Sequence, residues 1–499
     1  MNACASNIYG IYAQHWQSFG DAAALCEEDC VLSYHQLQQQ VERTRRQLQT
    51  RQLPAQSRVI ILCDNGIAQV VASFAVFSLG LIAVPLQRPT GAARLATIVA
   101  DTEAVLCISD EPNTTLTIPV WHWHMQADDH TPDDSQPWNA LDDDAPALLM
   151  YSSGSTGVPK GVVVAHAQQY RIAQHLAEAL ALQPGQRELL IAPASHSDGW
   201  QRLLAMLLRG GCIYFRRGML SIHHILDAIV EHKIQTLFLH PTLVHYVLKT
   251  PAERVRQAWA SCISLETGSA SLLADEVQQL LALLPEQAHL YVHYGITESP
   301  RSTMLNVRQA RGKTATVGTA MAGVTLAIQN DHGEQAAPNH VGEILLGGEH
   351  LSPAYWRRDA LYAERVRDGI LHTGDYGRID EDGFLTFVGR KDDQIHSAGY
   401  SFYPAEVECE LGVLPHVVEY VTLGMTDPKG ILGQEVWMFV VPQDPAAWLL
   451  RDFYRYARAR LEAYMVPRKV VVIDAIPKTA SGKPHRRKLA EQYDPNHAT

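Results

Sequence analysis

The stretch ALLMYSSGSTGVPKGVVVAH (147–166) sets one aliphatic run, ALLMY (147–151), against a second, VVVAH (162–166), across ten residues dense in glycine, serine and threonine. Both flanks read as short strands bounded by turn residues. The loop between them suits a phosphate. Gly154 and Gly157 let backbone amides approach an anion, the hydroxyls of Ser152, Ser153, Ser155 and Thr156 add donors, and Lys160 adds positive charge. It is not a Walker A loop, because no Gly-Lys-Ser/Thr follows at the required spacing and the next element reads as a strand; nor is it a dinucleotide fingerprint. On these residues alone, a hairpin turn without a ligand stays open.

Outward from this loop, β-rich runs such as RVIILC (58–63), ELLIAP (188–193) and TLFLHP (236–241) alternate with helical patterns such as SIHHILDAIVEH (221–232). That rhythm predicts α/β layering. The longest apolar stretch, Val70 to Leu86, is broken by Ser73, Ser78, Gly80 and Pro85, and so reads as a buried helix, a turn and a strand rather than a membrane span. No linker rich in Gly, Ser or Pro interrupts the chain before about residue 390. A fresh pattern of short elements, including VVEYVTLGM (417–425) and WMFVVP (437–442), then follows GRKDDQ (389–394). The expected layout is a large domain over 1–391, built of subdomains, and a small α+β domain over 392–499.

The 499 residues carry a formal net charge of -12, which argues against nucleic acid as the main partner, since phosphate-backbone contacts need clustered Lys and Arg. Basic residues do gather at Lys483, His485, Arg486, Arg487 and Lys488. The eight cysteines are scattered, and Cys26 with Cys30 lacks a second pair to complete a zinc site. WHWH (121–124) and His223 with His224 have no ligand spacing either. MNACASNIYGIYAQ lacks a basic start and an apolar core, so a reduced, cytoplasmic, soluble protein is expected.

Four more polar segments stand in order along the chain: YGITES (294–299), HTGDYGRID (372–380), GRKDDQ (389–394) and PKTASGKPHRRKL (477–489). Singly, each is compatible with ordinary loop chemistry. With the glycine loop and in this order, they resemble the adenylate-forming superfamily of acyl-CoA synthetases, peptide-synthetase adenylation domains and luciferases. The resemblance covers nearly the whole chain and implies a large adenylate-forming domain followed by a small mobile one.

It also implies roles, position by position. Ser152, Ser153, Gly154, Ser155, Thr156, Gly157 and Lys160 would hold the ATP phosphates, Tyr294 would pack on adenine, Asp375 would bind the ribose hydroxyls, and Arg390 would reach the ribose or phosphates. Gly268, Ser269, Ala270, Gly295 and Thr297 would complete the nucleotide's surroundings. Glu298 would bind Mg2+, offering the hard oxygen that ion prefers. Lys483 would be the catalytic cation, with Thr297 and Glu298 beside it, and Asp392 would be the hinge. VGTAMAG (317–323) and SPAYW (352–356) depart from the family pattern and read as loop variation outside the ATP contacts.

The implied reaction joins a carboxylic acid to ATP, releases pyrophosphate, and passes the acyl group to a phosphopantetheine thiol. For the acid, ASHSDGWQRLL (194–204) places His196 where amino-acid-activating domains hold an aspartate, which leans away from an α-amino acid; Asp198, two residues on, keeps an amine partner open. Trp200, Thr267, Gly268 and Ser269 are further candidates for the acyl cavity, Trp200 equally for simple core. SAGYSFYPAEVE (397–408) resembles acyl-CoA ligases more than peptide-synthetase domains, favouring CoA over a separate carrier protein. A luciferase-like oxygenase or a non-catalytic binding protein are the alternatives of another class.

Overall fold

The computed structural model describes residues 7–88, 90–111, 116–125, 142, 144–153, 159–216, 221–268, 272–397, 400–427, 432–479 and 483–493. Two large sheets dominate the first part. One has nine strands, running from Thr319–Ala320 through Ser299–Asn306, His289–Ile296, Ser264–Gly268, Thr236–Leu239, Arg187–Leu189, Cys212–Phe215 and Ala23–Glu27 to Cys30–Ser33. Its six middle strands, His289–Ile296 to Ala23–Glu27, are mutually parallel. The second has seven strands, and in it Pro146–Ser153 pairs antiparallel with Pro159–Ala165, which brings the two flanks of the glycine loop side by side.

Helices fill the space between the sheets. The apolar stretch around Val70 forms the helix Ile67–Ser78, every residue of which is buried, followed by the strand Ile82–Leu86. A helix apolar all round has to be covered all round. Phe74 and Phe77 do this in one cluster with Tyr12, Trp16 and Trp200, joined by residues of both sheets such as Val59, Ile61, Leu25 and Ile213.

A third sheet is antiparallel: Val324–Gln329, Gly342–Gly348 and Ile370–Ile379 in order, with Val366–Arg367 and Leu385–Arg390 also on Ile370–Ile379. Beyond it lie a hairpin, Ile395–Ser397 with Tyr400–Phe402, and a three-stranded sheet of Val417–Thr426, Gln434–Pro442 and Lys469–Val472. These strands and the helices Pro404–Leu411, Leu450–Arg458 and Arg486–Tyr493 enclose apolar clusters of their own around Met438, Val440 and Phe453, and around Phe439, Ile476 and Leu489. The result is a large α/β domain and a smaller α+β one. Among the described residues, no helix is long and apolar enough to cross a membrane.

Candidate active site

In parallel α/β sheets the carboxyl ends of the strands open onto one shared crevice, where ligands bind. Here those ends carry His240 after Thr236–Leu239, Gly268 at the end of Ser264–Gly268, and Tyr294 near the end of His289–Ile296. His196 stands at the N-cap of the helix Ser197–Leu208, with Asp198 in its first turn.

Two of the motifs, YGITES and HTGDYGRID, are turns that hold a carboxylate at this edge. In YGITES, Ile296 pairs with Ser299, so Thr297 and Glu298 form the turn, with Thr297 half-buried and Glu298 buried. Gly295 is required by contact, since a Cβ there would sit 2.4 Å from the backbone nitrogen of Arg301. In HTGDYGRID, the Thr373 hydroxyl donates to the Ile344 carbonyl at 2.7 Å and accepts from the Asp375 amide at 3.0 Å. Gly374 takes a φ of 72°, which glycine adopts freely, and its amide donates to Glu343.

Asp375 so placed is 3 % exposed, and the Tyr294 hydroxyl donates to it at 2.8 Å while Arg390 lies 3.2 Å from its other oxygen. Burial raises the Asp375 carboxyl above its ordinary range, against the pull of Arg390 and Tyr294. Half of the Arg390 side chain remains exposed, at 52 %, leaving donors for a further anion. Tyr294 packs against Phe387, ring centroids 5.8 Å apart.

Lys483 reaches the same place from the small domain. Its loop is closed by the Thr479 amide donating to the Lys483 carbonyl at 2.8 Å, and the Lys483 amide donates back to the Thr479 hydroxyl. Burial lowers the Lys483 ammonium, as does Arg390, while Asp198 and Asp375 act to raise it; the lysine is therefore within electrostatic reach of both carboxylates.

At the other end of the cleft, Lys160 donates to Glu298 at 2.6 Å, and Tyr355 donates to the same Oε1 atom, also at 2.6 Å. The Lys160 ammonium holds the buried Glu298 carboxyl below its ordinary range in spite of desolvation. The Glu298 carboxylate is the kind of hard oxygen donor that a divalent cation such as Mg2+ prefers. Tyr355, which lies in SPAYW, touches both residues, with Lys160 4.4 Å above its ring. Nothing local in the sequence signals this, because Tyr355 arrives through the strand Ala354–Tyr355 pairing with Pro159–Ala165.

Below the cleft runs a buried ionic lattice that the sequence reading did not foresee. Arg202 binds Glu188 at 2.6 Å and Glu266 at 3.1 Å, and Glu266 contacts Arg301 at 2.9 Å and His293 at 2.7 Å. Asp198 closes it at 3.5 Å from His293 and 3.8 Å from Arg301. Burial acts against charge on His293, but Glu266 and Asp198 outweigh it and raise its pKa. A raised histidine contributes stability that is complete below its unfolded pKa and is lost as pH rises through its folded value. In urea titrations across pH, the wild type is expected to lose stability on that alkaline side. His293→Gln should lack this component, and identical pH profiles would contradict the assignment.

The remaining sequence candidates fall as follows. Ser152 and Ser153 end the strand Pro146–Ser153, paired with Lys160 and Pro159. Gly154, Ser155, Thr156, Gly157, Ser269 and Ala270 lie outside the described residues. Gly268 faces His293, whose ring would be 2.6 Å from a Cβ. Thr267 takes the opposite face, that of Leu265 in the second apolar cluster, because side chains alternate along a strand. Trp200 is fully buried, donates to Gln169 at 2.7 Å and packs on Phe74 and Phe77, which makes it core rather than cavity wall. His196 is half-buried with Nδ1 3.1 Å from the Ser195 hydroxyl, and burial lowers its pKa. Asp392 lies in the single 3-10 turn Lys391–Asp393 that follows the strand Leu385–Arg390.

A family model described as AMP-binding enzyme matches residues 12–356, and one described as AMP-binding enzyme C-terminal domain matches 406–483. Feruloyl-CoA synthase of an Amycolatopsis species is 31 % identical over 477 residues, spanning 93 % of this chain and 94 % of that protein. ATP-bound MatB from Rhodopseudomonas palustris superimposes with a TM-score of 0.88 at 22 % identity, each chain covered in full. O-succinylbenzoate coenzyme A synthetase from Bacillus subtilis, in complex with ATP and magnesium ion, gives 0.84 at 24 % identity over 96 % of this chain and 98 % of that one. With both family models in order and a full-length relative above 30 % identity, the chain belongs to the AMP-binding enzyme family, among the AMP-forming acyl-CoA ligases.

Proposed function

We propose that the protein activates a small carboxylic acid with ATP to an acyl-adenylate and transfers the acyl group to the phosphopantetheine thiol of CoA. The observation that carries this reading is the cluster in which Tyr294 and Arg390 both meet the buried Asp375, with the Lys160–Glu298 pair in a second cluster, in a chain of the AMP-binding enzyme family. A carboxylate attacking a polyanion must be relieved of repulsion and held in line, which is work for fixed cations in a cleft with little water. Lys483 steadies the charge that develops as the acid oxygen meets the α-phosphorus and pyrophosphate leaves. Asp375 accepts from the ribose diol, Arg390 donates to ribose or phosphate, and Tyr294 lies along the base. Glu298 would hold Mg2+, and the ion would supply Lewis-acid neutralisation of the phosphates.

Residues 1–391 and 392–499 are the two moving parts, with Asp392 the pivot, so that the lysine serves the first half-reaction and withdraws for the second. The test is a panel of carboxylic acids read by pyrophosphate release, followed by mass spectrometry of thioesters formed with CoA or with a separate holo-carrier protein. Acid-dependent pyrophosphate release with an acyl-CoA product is the expected result. A thioester on the carrier alone would replace CoA as acceptor, and no release with any acid would defeat the ligase reading.

His196 stands at the acyl side of this cleft. His196→Ala is expected to reorder the acids by several-fold in kcat/KM while leaving the KM for ATP within about twofold, since one lost contact in a pocket costs roughly 1–3 kcal/mol of discrimination. An unchanged ranking would return His196 to a purely packing role.

A further inference from the structure

Lys160, Tyr355 and Glu298 meet so that each touches the other two. The Lys160 ammonium donates to Glu298 Oε1 at 2.6 Å and to the Tyr355 hydroxyl at 3.1 Å, and that hydroxyl donates to the same Oε1 at 2.6 Å. Chemistry fixes the direction of every bond, since an ammonium only donates, an ionised carboxylate only accepts, and a phenol does both. Burial raises the Tyr355 phenol, as does Glu298 beside it, so the phenolic proton stays on its oxygen.

The three differ in their freedom to move. Tyr355 is 1 % exposed and lies in the strand Ala354–Tyr355, whose residues pair with Val163 and Val162. The amide of Trp356, the next residue, donates to the Gly161 carbonyl at 2.8 Å, which ties this segment to the strand that carries Lys160. The same segment also grips the Glu298 turn: the Ser352 amide donates to the Glu298 carbonyl at 2.8 Å, and His350 Nδ1 donates to the Pro300 carbonyl at 3.1 Å. Lys160, by contrast, ends a flexible four-carbon stem, keeps 18 % of its side chain exposed and stands near the start of the strand Pro159–Ala165 that leaves the glycine loop.

We propose that Tyr355 is a positioning residue for acyl-adenylate formation, its hydroxyl keeping the Glu298 carboxylate in place for Mg2+ when Lys160 leaves that carboxylate for the ATP phosphates. This rests on the ligase reading, in which Lys160 serves the phosphates and Glu298 the cation. A lysine drawn onto the phosphates leaves a buried carboxylate with one partner fewer, and a buried anion so stripped turns away or takes up a proton. Either change spoils a hard oxygen donor. The Tyr355 bond survives the exchange because its donor is anchored by backbone pairing, not by a charge for which the nucleotide competes.

The test begins with Tyr355→Phe, which removes the hydroxyl and keeps the ring, packed edge-on against Tyr362 with centroids 5.7 Å apart. Mn2+ is titrated against the enzyme saturated with α,β-methylene-ATP, which cannot release pyrophosphate, and its binding is read by electron paramagnetic resonance. The variant is expected to bind Mn2+ roughly 10–100-fold more weakly than the wild type, the usual consequence of removing a hydrogen-bond partner from a metal-binding carboxylate. Half-maximal pyrophosphate release should require correspondingly more Mg2+. Conversion of supplied acyl-adenylate to thioester, which has no pyrophosphate to neutralise, should stay within about twofold of the wild type.

Lys160→Met is expected to give the opposite split. It should weaken α,β-methylene-ATP itself by roughly tenfold or more, through loss of a charged contact, while Mn2+ in the saturated complex stays within about threefold. This second variant carries the test if the first folds poorly. Wild-type Mn2+ affinity in Tyr355→Phe overturns the proposal, as does a loss of Mn2+ affinity in Lys160→Met with the nucleotide unaffected. Failure of the wild type to release pyrophosphate with any acid defeats the ligase reading instead, and the Mn2+ titration, which needs no acid, tells the two failures apart.

Discussion

Lys483→Ala is expected to lose acyl-adenylate formation by roughly 10²–10³ in rate, the usual consequence of removing one preorganised charge contact to a transition state. The same variant should still make thioester from supplied acyl-adenylate at close to the wild-type rate. The asymmetry follows from where the residue sits. Lys483 belongs to a loop of the small domain, tied to its own chain by the two Thr479 hydrogen bonds, and reaches the large domain through its charge toward Asp375 and Asp198. Asp375, Tyr294 and Arg390 form their cluster without it. Truncation therefore removes a cation without dismantling the cluster proposed to hold the nucleotide, and nucleotide binding should persist in a fluorescence titration. Acyl-adenylate formation at the normal rate would show that another group supplies the charge.

The parts of this site that were legible in the sequence are those whose geometry is made locally. Gly374 with its positive φ, Thr373 bonding the Asp375 amide, and the two-residue turn at Thr297 and Glu298 are short-range devices, and short-range devices leave motifs. The apolar stretch from Val70 resolved correctly into helix, turn and strand for a similar reason, since its composition alone dictates burial. What was not legible is long-range. Tyr355 meets Glu298 across 57 positions, and Arg202 meets Glu266 across 64, so neither pairing has a period or spacing to betray it. Trp200, left open between cavity and core, and Thr267 show a different limit. Each lies beside residues of the crevice, yet one turns into the aromatic core and the other onto the opposite strand face, a choice set by packing rather than by neighbourhood. Asp198 was visible as a possible amine partner, but not its anchoring to His293 and Arg301, which gives that carboxylate a fixed place.

Asp392→Pro is expected to separate the two half-reactions in the sense opposite to Lys483→Ala. Asp392 occupies the 3-10 turn Lys391–Asp393, between a strand of the large domain that ends at Arg390 and the hairpin that opens the small one at Ile395. In such a turn φ lies near -50 to -70°, which is the value the proline ring imposes, and the first turn is where a missing amide donor is tolerated. The substitution is thus compatible with the conformation described above. A domain that pivots here has to carry the backbone of its hinge residue to other dihedrals, and proline withholds most of them. Single-turnover pyrophosphate release should persist, within a few-fold of the wild type. Conversion of supplied acyl-adenylate to thioester should fall by on the order of 10², because a thiol held out of line forfeits the advantage of proximity. Equal loss of both steps would mean that the proline disturbs the fold of the first conformation. Equal retention would move the pivot away from Asp392, to another residue between Arg390 and Ile395.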